Sequence, residues 1–248
     1  MKKNKNVLIL TSKTNNKLML PEVYVYFIKN NQRLPQSLWV DCFDLLPIEF
    51  HSKINRYYFW KDRQASLFGK LLLQLLMNKL VPGASLENLN YNKYHKPFIR
   101  EKLSFNLSHS ENYVVCAGTQ LMEPIGIDIE FVNHGIEINE FKNIFSPAEW
   151  SIIQKAENLE SSFFKLWTIK ESVIKADGRG LQLPLEQLKV DHQTVKCESE
   201  TWYCKEIAIH DEYYCHIATK MQYFKLTTKE ISLEELLYLL KSANKKAL

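Results

Sequence analysis

Between Glu123 and Phe131 the sequence reads EPIGIDIEF, with isoleucines at 125, 127 and 129 alternating with Gly126, Asp128 and Glu130. A two-residue period marks a β-strand, so the isoleucines turn to one face and both carboxylates to the other. The Cα atoms of Asp128 and Glu130 are then about 6.5 to 7 Å apart on the same side. Two ionised carboxylates at that spacing repel each other. A hard divalent cation such as Mg²⁺ removes the repulsion and keeps positions open for water and phosphate oxygens. Gly126, on the same face, lets another group approach the backbone. The pair alone is more often a strand with one wet face, so the motif requires a third partner.

SSFFKLWTIKESVIKADG, residues 161–178, supplies a candidate. Read as a helix, it places Phe163, Trp167, Glu171 and Lys175 at four-residue intervals along one stripe. Glu171 offers a third carboxylate, and Lys175 a cation one turn further on, beside a phosphate that the metal also touches. Taken without context, Glu171 and Lys175 are an exposed helical ion pair. A further patch, FNLSHSENY, sets Ser108, His109 and Ser110 at the end of a short strand. No spacing rule puts an Asp and a nucleophile around His109, so a hydrolase triad is a weak reading and a phosphate contact the stronger one.

Composition limits the partners. With 248 residues, 46% of them hydrophobic, the chain has enough apolar side chain for one sizeable core or two modest ones. A formal charge of +4 is too slight to argue for nucleic acid. Lys53, Arg56, Lys61, Arg63 and Lys70 do gather around Tyr57, Tyr58, Phe59 and Trp60. Such a segment is more often a solvated face with an aromatic underside. Five cysteines without a CxxC spacing suggest reduced thiols, not a disulfide framework or a zinc site. VLIL, residues 7–10, is too short for a signal-peptide core and reads as a strand. No apolar run approaches the roughly 20 residues of a membrane helix, so a cytoplasmic protein is expected, without membrane or nucleic-acid partners.

Helices are predicted over 45–60 and 64–80, the latter stopped by Pro82-Gly83, and after Ser146, where Pro147 and Glu149 complete a helix-start signal. Another runs from Ser161 to Asp177, closed by Gly178. The tail from Ser232 to Lys246 sets Leu233, Leu236, Leu237 and Leu240 on one face. Strands are expected over 22–28, 104–107, 113–117, 126–130, 188–190, 202–209 and 213–218. Residues 109–119 echo residues 210–219 with one residue deleted, which hints at two similar halves meeting near residue 120.

In order, FNLSHS, PIGIDIE, IFSPAEW and FFKLWTIKESVIKADGRGLQLPL resemble the 4'-phosphopantetheinyl transferase superfamily, and closely its larger, surfactin-synthetase-activating (Sfp) type. The likeness runs from about Pro47 to His216. It implies an α+β fold, a monomeric pseudo-dimer of two similar halves, each an antiparallel sheet packed with a long helix. The first half, 1–119, would contact the nucleotide of coenzyme A. The second, 120–248, would carry the Mg²⁺ site, the catalytic helix and the docking surface for an apo acyl or peptidyl carrier protein, from Gly178 to about Ile209. The implied reaction moves phosphopantetheine from coenzyme A to a carrier serine and releases 3',5'-ADP. Asp128, Glu130 and Glu171 match the metal ligands, and Lys175 the lysine beside the transferring phosphate. Glu171 and Glu149 are the candidate bases, of which Glu171 is favoured.

For coenzyme A, the resemblance assigns Ser108 and His109 to the nucleotide phosphates, Lys96 and Pro97 to the nucleotide end, Lys53 to the 3'-phosphate region and Ser66 to the adenine. Two positions depart from the family. Ala65 stands where relatives carry a basic residue, with Arg63 two places earlier, and His95 stands where they usually have glycine. Two other classes compete with a transferase: a Mg²⁺-dependent nuclease built on the same carboxylates, and a silent module that binds coenzyme A or carrier domains.

Overall fold

A computed structural model describes residues 19–100 and 103–246. Strand β1 (Glu22–Lys29) is followed by helices α1 (Gln36–Phe43), α2 (Ile48–Asn55) and α3 (Trp60–Leu80). A two-residue pair, β2 (Asn90–Tyr91) and β3 (Pro97–Phe98), leads into β4 (Ser104–Ser110), β5 (Tyr113–Thr119) and β6 (Ile125–Phe131). Helices α4 (Pro147–Lys155) and α5 (Leu159–Asp177) come next, then β7 (Lys189–Asp191), β8 (Thr194–Cys197), β9 (Glu200–Glu206), β10 (Tyr213–Thr219), β11 (Lys225–Glu230) and α6 (Leu233–Lys246). The fold is α+β, as the sequence indicates.

Two sheets divide the strands, in the orders β11-β1-β5-β4 and β6-β10-β9-β8-β7. Two runs of chain, β1-α3-β4-β5 and β6-α5-β9-β10, set their strands in matching orders, β1-β5-β4 and β6-β10-β9, with antiparallel pairing throughout. The echo falls on β5 and β10, YVVCAGT and YYCHIAT, each beginning at a tyrosine and ending at a threonine. The deleted residue belongs to the turn before the strand. Thr119 and Thr219 both accept a backbone N–H two residues on, from Leu121 and Met221. The chain then crosses back: β11 pairs in parallel with β1, and Leu236, Leu237 and Leu240 of α6 join the core beneath α3.

Ile125, Ile127 and Ile129 meet Val23, Val25, Val115 and Ala117 in an apolar layer between the sheets. That layer is what the alternation demands, and it turns Gly126, Asp128 and Glu130 toward α5. A Cβ on Gly126 would lie 2.1 Å from the Ser172 carbonyl oxygen and 2.3 Å from the Ala176 nitrogen. The group admitted by the glycine is therefore the catalytic-helix candidate itself.

Several boundaries differ from those read in the sequence. Residues 45–60 are not one helix: α2 ends at Asn55, and α3 begins at Trp60. The break falls on Tyr57, Tyr58 and Phe59, all exposed, whose bulky rings lose rotamer freedom in a helix. Arg63 binds the freed Tyr57 carbonyl from Nη2 at 2.7 Å. Helix α1 and strands β2, β3, β8 and β11 have no counterpart among the elements expected from the pattern. β11 alternates weakly because, lying at a sheet edge, it has one neighbour and mostly exposed side chains. The predicted strand at 7–10 lies outside the described residues. All five cysteines are free and buried, and among the described residues no helix is long and apolar enough to cross a membrane.

Candidate active site

The site forms where β4 lies beside β6. These strands belong to different sheets and are joined by side chains: Asn106 Oδ1 accepts from the Ile127 N–H at 2.9 Å, and Ser110 Oγ from the Phe131 N–H at 3.1 Å. The alternation of β4 thus sets Asn106, Ser108 and Ser110 along the carboxylate strand. Ser108 Oγ donates to Asp128 Oδ1 at 3.1 Å, and Ser110 Oγ to Glu130 Oε2 at 2.9 Å. Sequence reading singled out Ser108 but gave Asn106 and Ser110 no role. The available signal was the N-x-S-x-S period, which matches that of G-x-D-x-E.

Helix α5 closes the site from the other side. Asn158 caps it by accepting from the Ser161 N–H at 2.7 Å, and Gly178 ends it in the left-handed conformation at φ 84°. Its start lies two residues before the predicted one. With α5 seated on Gly126, Lys175 Nζ reaches Asp128 Oδ1 at 2.5 Å and Ser108 Oγ at 2.8 Å. Trp167, stacked on Phe163, lines a neighbouring cavity of about 310 Å³ with Phe141, Phe131, Ser110 and Glu130.

Charge is crowded here. Burial raises the Asp128 pKa despite the Lys175 ammonium and the Ser108 hydroxyl. Glu130 is pushed up to about 7, first by burial and then by the charge on Asp128. Glu171 is raised by the same two causes. His109 stands at the exposed rim, and partial desolvation together with Lys175 holds its pKa below the usual histidine range.

Carboxylate oxygens are the donor type a hard divalent cation takes. Asp128 Oδ2 is buried and has no hydrogen-bond partner, while Oδ1 is held by Lys175 and Ser108. The charge on Asp128 adds to burial in raising the pKa of both Glu130 and Glu171, and a hard divalent cation relieves such crowding. Among the described residues, no three acidic, histidine or cysteine side chains already converge as a metal cage. Lys175 provides the charge next to Asp128 instead.

Glu149 stands elsewhere. It is 3% exposed, completes the capping box of α4 with Ser146, accepts from the Val190 N–H at 2.9 Å, and lies 2.9 Å from the fully buried Lys170 ammonium. Lys170 also donates to three backbone carbonyls, at Ile144, Leu185 and Leu188. A carboxylate with both oxygens engaged and almost no solvent contact is poorly placed to collect a substrate proton. Lys96 also turns inward, donating to the Ala176 carbonyl at 2.8 Å and the Ile125 carbonyl at 3.3 Å, so it ties the end of α5 to the start of β6. Burial lowers its pKa to about 8. His95 adopts φ 65°, a conformation glycine takes without strain. Pro97 follows Lys96 in β3.

Lys53 and Ser66 line a second cavity, of about 360 Å³, together with Arg56, Lys70 and Tyr91. Arg63 is not among its lining residues.

Comparison with known proteins places the chain in a family. The family model for the 4'-phosphopantetheinyl transferase superfamily matches residues 124–227, and that for the 4'-phosphopantetheinyl transferase N-terminal region matches residues 34–121. Over 140 residues the chain is 41% identical to the 4'-phosphopantetheinyl transferase gsp of Aneurinibacillus migulanus, covering 55% of this chain and 57% of that one. A 4'-phosphopantetheinyl transferase of Bacillus subtilis is 36% identical over 57% of this chain and 64% of its own. The transferase Sfp of Bacillus subtilis strain 168 is 32% identical over 67% of this chain and 75% of its own. The chain thus spans less than two thirds of the first two relatives and three quarters of the third.

Proposed function

Because the chain belongs to the 4'-phosphopantetheinyl transferase superfamily, we propose that it transfers the phosphopantetheine of coenzyme A to a serine of an apo acyl or peptidyl carrier protein. The observation that carries the reading is the meeting of Asp128, Ser108 and Lys175 from β6, β4 and α5 at one buried carboxylate. The carrier serine oxygen attacks the phosphorus that bears pantetheine. The bond from that phosphorus to the bridging oxygen breaks, and 3',5'-ADP leaves.

Lys175, paired with Asp128 here, supplies positive charge to the transferring phosphate, and Ser108 and His109 donate to the diphosphate. Glu171, on the helix face beside Lys175, takes the serine proton, directly or through a bound water. Glu149 is a positioning residue that fixes α4 against α5. Asp128, Glu130 and Glu171 would hold Mg²⁺, which when bound neutralises the diphosphate and the charge developing on the leaving oxygen. The aromatic cavity bounded by Glu130 and Trp167 suits the uncharged pantetheine arm.

The repeated order β1-β5-β4 and β6-β10-β9 supports a pseudo-dimer of halves divided near residue 120. On this reading the protein acts as a monomer in the cytoplasm. In that division the first half holds the nucleotide and the second the metal ligands. The segment from Gly178 to Ile209 receives the carrier. Incubation with apo carriers of both types, coenzyme A and Mg²⁺ tests the reading. The carrier is expected to gain the mass of one phosphopantetheine. A nuclease or a silent binding module would give no gain with any carrier, and that result would overturn the proposal.

A further inference from the structure

Asn92 and Lys96, in the loop between β2 and β3, reach across to the end of α5. Lys96 Nζ donates to the Ala176 carbonyl at 2.8 Å and to the Ile125 carbonyl at 3.3 Å, and Asn92 Nδ2 donates to the Gly178 carbonyl at 3.2 Å. The last carbonyls of a helix have no partner within it, and a cation beside them also meets the negative end of the helix dipole. Asn92 Oδ1 accepts from the N–H groups of Tyr94 and Lys96, at 2.8 and 2.9 Å, so one side chain shapes the loop and aims the lysine. Gly178 leaves room for the lysine stem: a Cβ there would lie 2.8 Å from Lys96 Cδ.

These bonds fall where β6 crosses α5. Gly126 is pressed against Ala176, and a Cβ on the glycine would lie 2.3 Å from the Ala176 nitrogen. Lys96 binds both sides of that crossing, at Ala176 itself and at Ile125, the residue before Gly126. Lys175 precedes Ala176, Asp128 follows Gly126 by two residues, and the two side chains meet at 2.5 Å. The loop begins after Tyr91, which lines the cavity that holds Lys53 and Ser66, but neither Lys96 nor Pro97 lines it. Two of the three protons of the Lys96 ammonium already go to backbone oxygens.

We infer that Lys96 is a positioning residue whose side chain does not bind the nucleotide: aimed by Asn92, it pins the crossing of β6 and α5 and so keeps Lys175 on Asp128. The effect on turnover rests on the transferase reading. The pinning itself does not.

Three measurements on the full chain test this. In hydrogen exchange, Lys96→Met, and Asn92→Ala more weakly, should speed exchange of the amides of residues 174–178 by about five- to tenfold, the range of a lost hydrogen bond. The amides of residues 159–165, at the far end of α5, should keep the wild-type rate. In calorimetry, Lys96→Met should bind adenosine 3',5'-bisphosphate as wild type does. In transfer assays its kcat should fall about ten- to a hundredfold, the scale of a misplaced catalytic group, at unchanged KM for coenzyme A. Wild-type exchange at 174–178, equal acceleration along all of α5, an unchanged kcat, or a loss of bisphosphate affinity would overturn the assignment. If no carrier is modified and no bisphosphate binds, the transferase reading fails, while the exchange rates still decide whether Lys96 pins the crossing.

Discussion

Lys175 Nζ lies 2.5 Å from Asp128 Oδ1, yet the other oxygen of that buried carboxylate has no partner. A helix lysine and a strand aspartate thus form a half-satisfied pair at the junction of two sheets. One oxygen is held by Lys175 and Ser108, and the other is buried beside them.

Asp128→Ala should therefore cut carrier modification by about a hundredfold or more, on the scale of losing charge stabilisation in a transition state. The fold should survive, because the variant removes a carboxylate that burial already penalises. Parallel measurements of mass gain and circular dichroism check both parts. Near-full Mg²⁺-dependent activity would remove Asp128 from the site.

Gly126→Ala tests how α5 is seated. Its methyl would stand 2.1 Å from a backbone oxygen of the helix, so the helix must move. A loss of about 1 to 3 kcal/mol in urea denaturation is expected, as for overpacked cores. Transfer per folded molecule should fall as well, because the same shift separates Lys175 from Asp128.

Glu149→Gln separates the two candidate bases. Lys170 keeps its three carbonyl acceptors but loses its counter-charge, so stability should drop by about 2 to 4 kcal/mol. Per folded molecule, the transfer rate should stay within a few-fold of wild type, whereas Glu171→Gln should lose most of it. A collapse in turnover for Glu149→Gln without a change in stability would reverse these roles.

Lys96 gives a pH signature. Its folded pKa, about 8, lies below the ordinary 10.5, so between these values the unfolded chain binds the proton that the folded one has released. Stability must then rise with pH across that window, by at most about 1.4 kcal/mol per unit from this group. Denaturation of wild type and Lys96→Met at pH 8 and pH 10 should show the difference moving in favour of wild type. An unchanged difference would place Lys96 outside the interior.

The amino-acid order alone determined the strand with its two carboxylates, the helix stripe of Trp167, Glu171 and Lys175, and the caps at Ser146 and Gly178. These are legible because strand and helix periods and cap chemistry are local. Ala65 and His95 stand out only beside the family that the sequence resembles. Tertiary structure decided what faces what. That Gly126 admits α5, that Ser108 and Ser110 of one sheet bind the carboxylates of another, and that Lys96 turns inward all depend on the crossing of elements distant in sequence. Glu149 shows the limit most clearly. Its position in a helix-start motif was plain from the sequence, but its pairing with a fully buried lysine arises only once α4 is packed on α5, where desolvation leaves each charge dependent on the other.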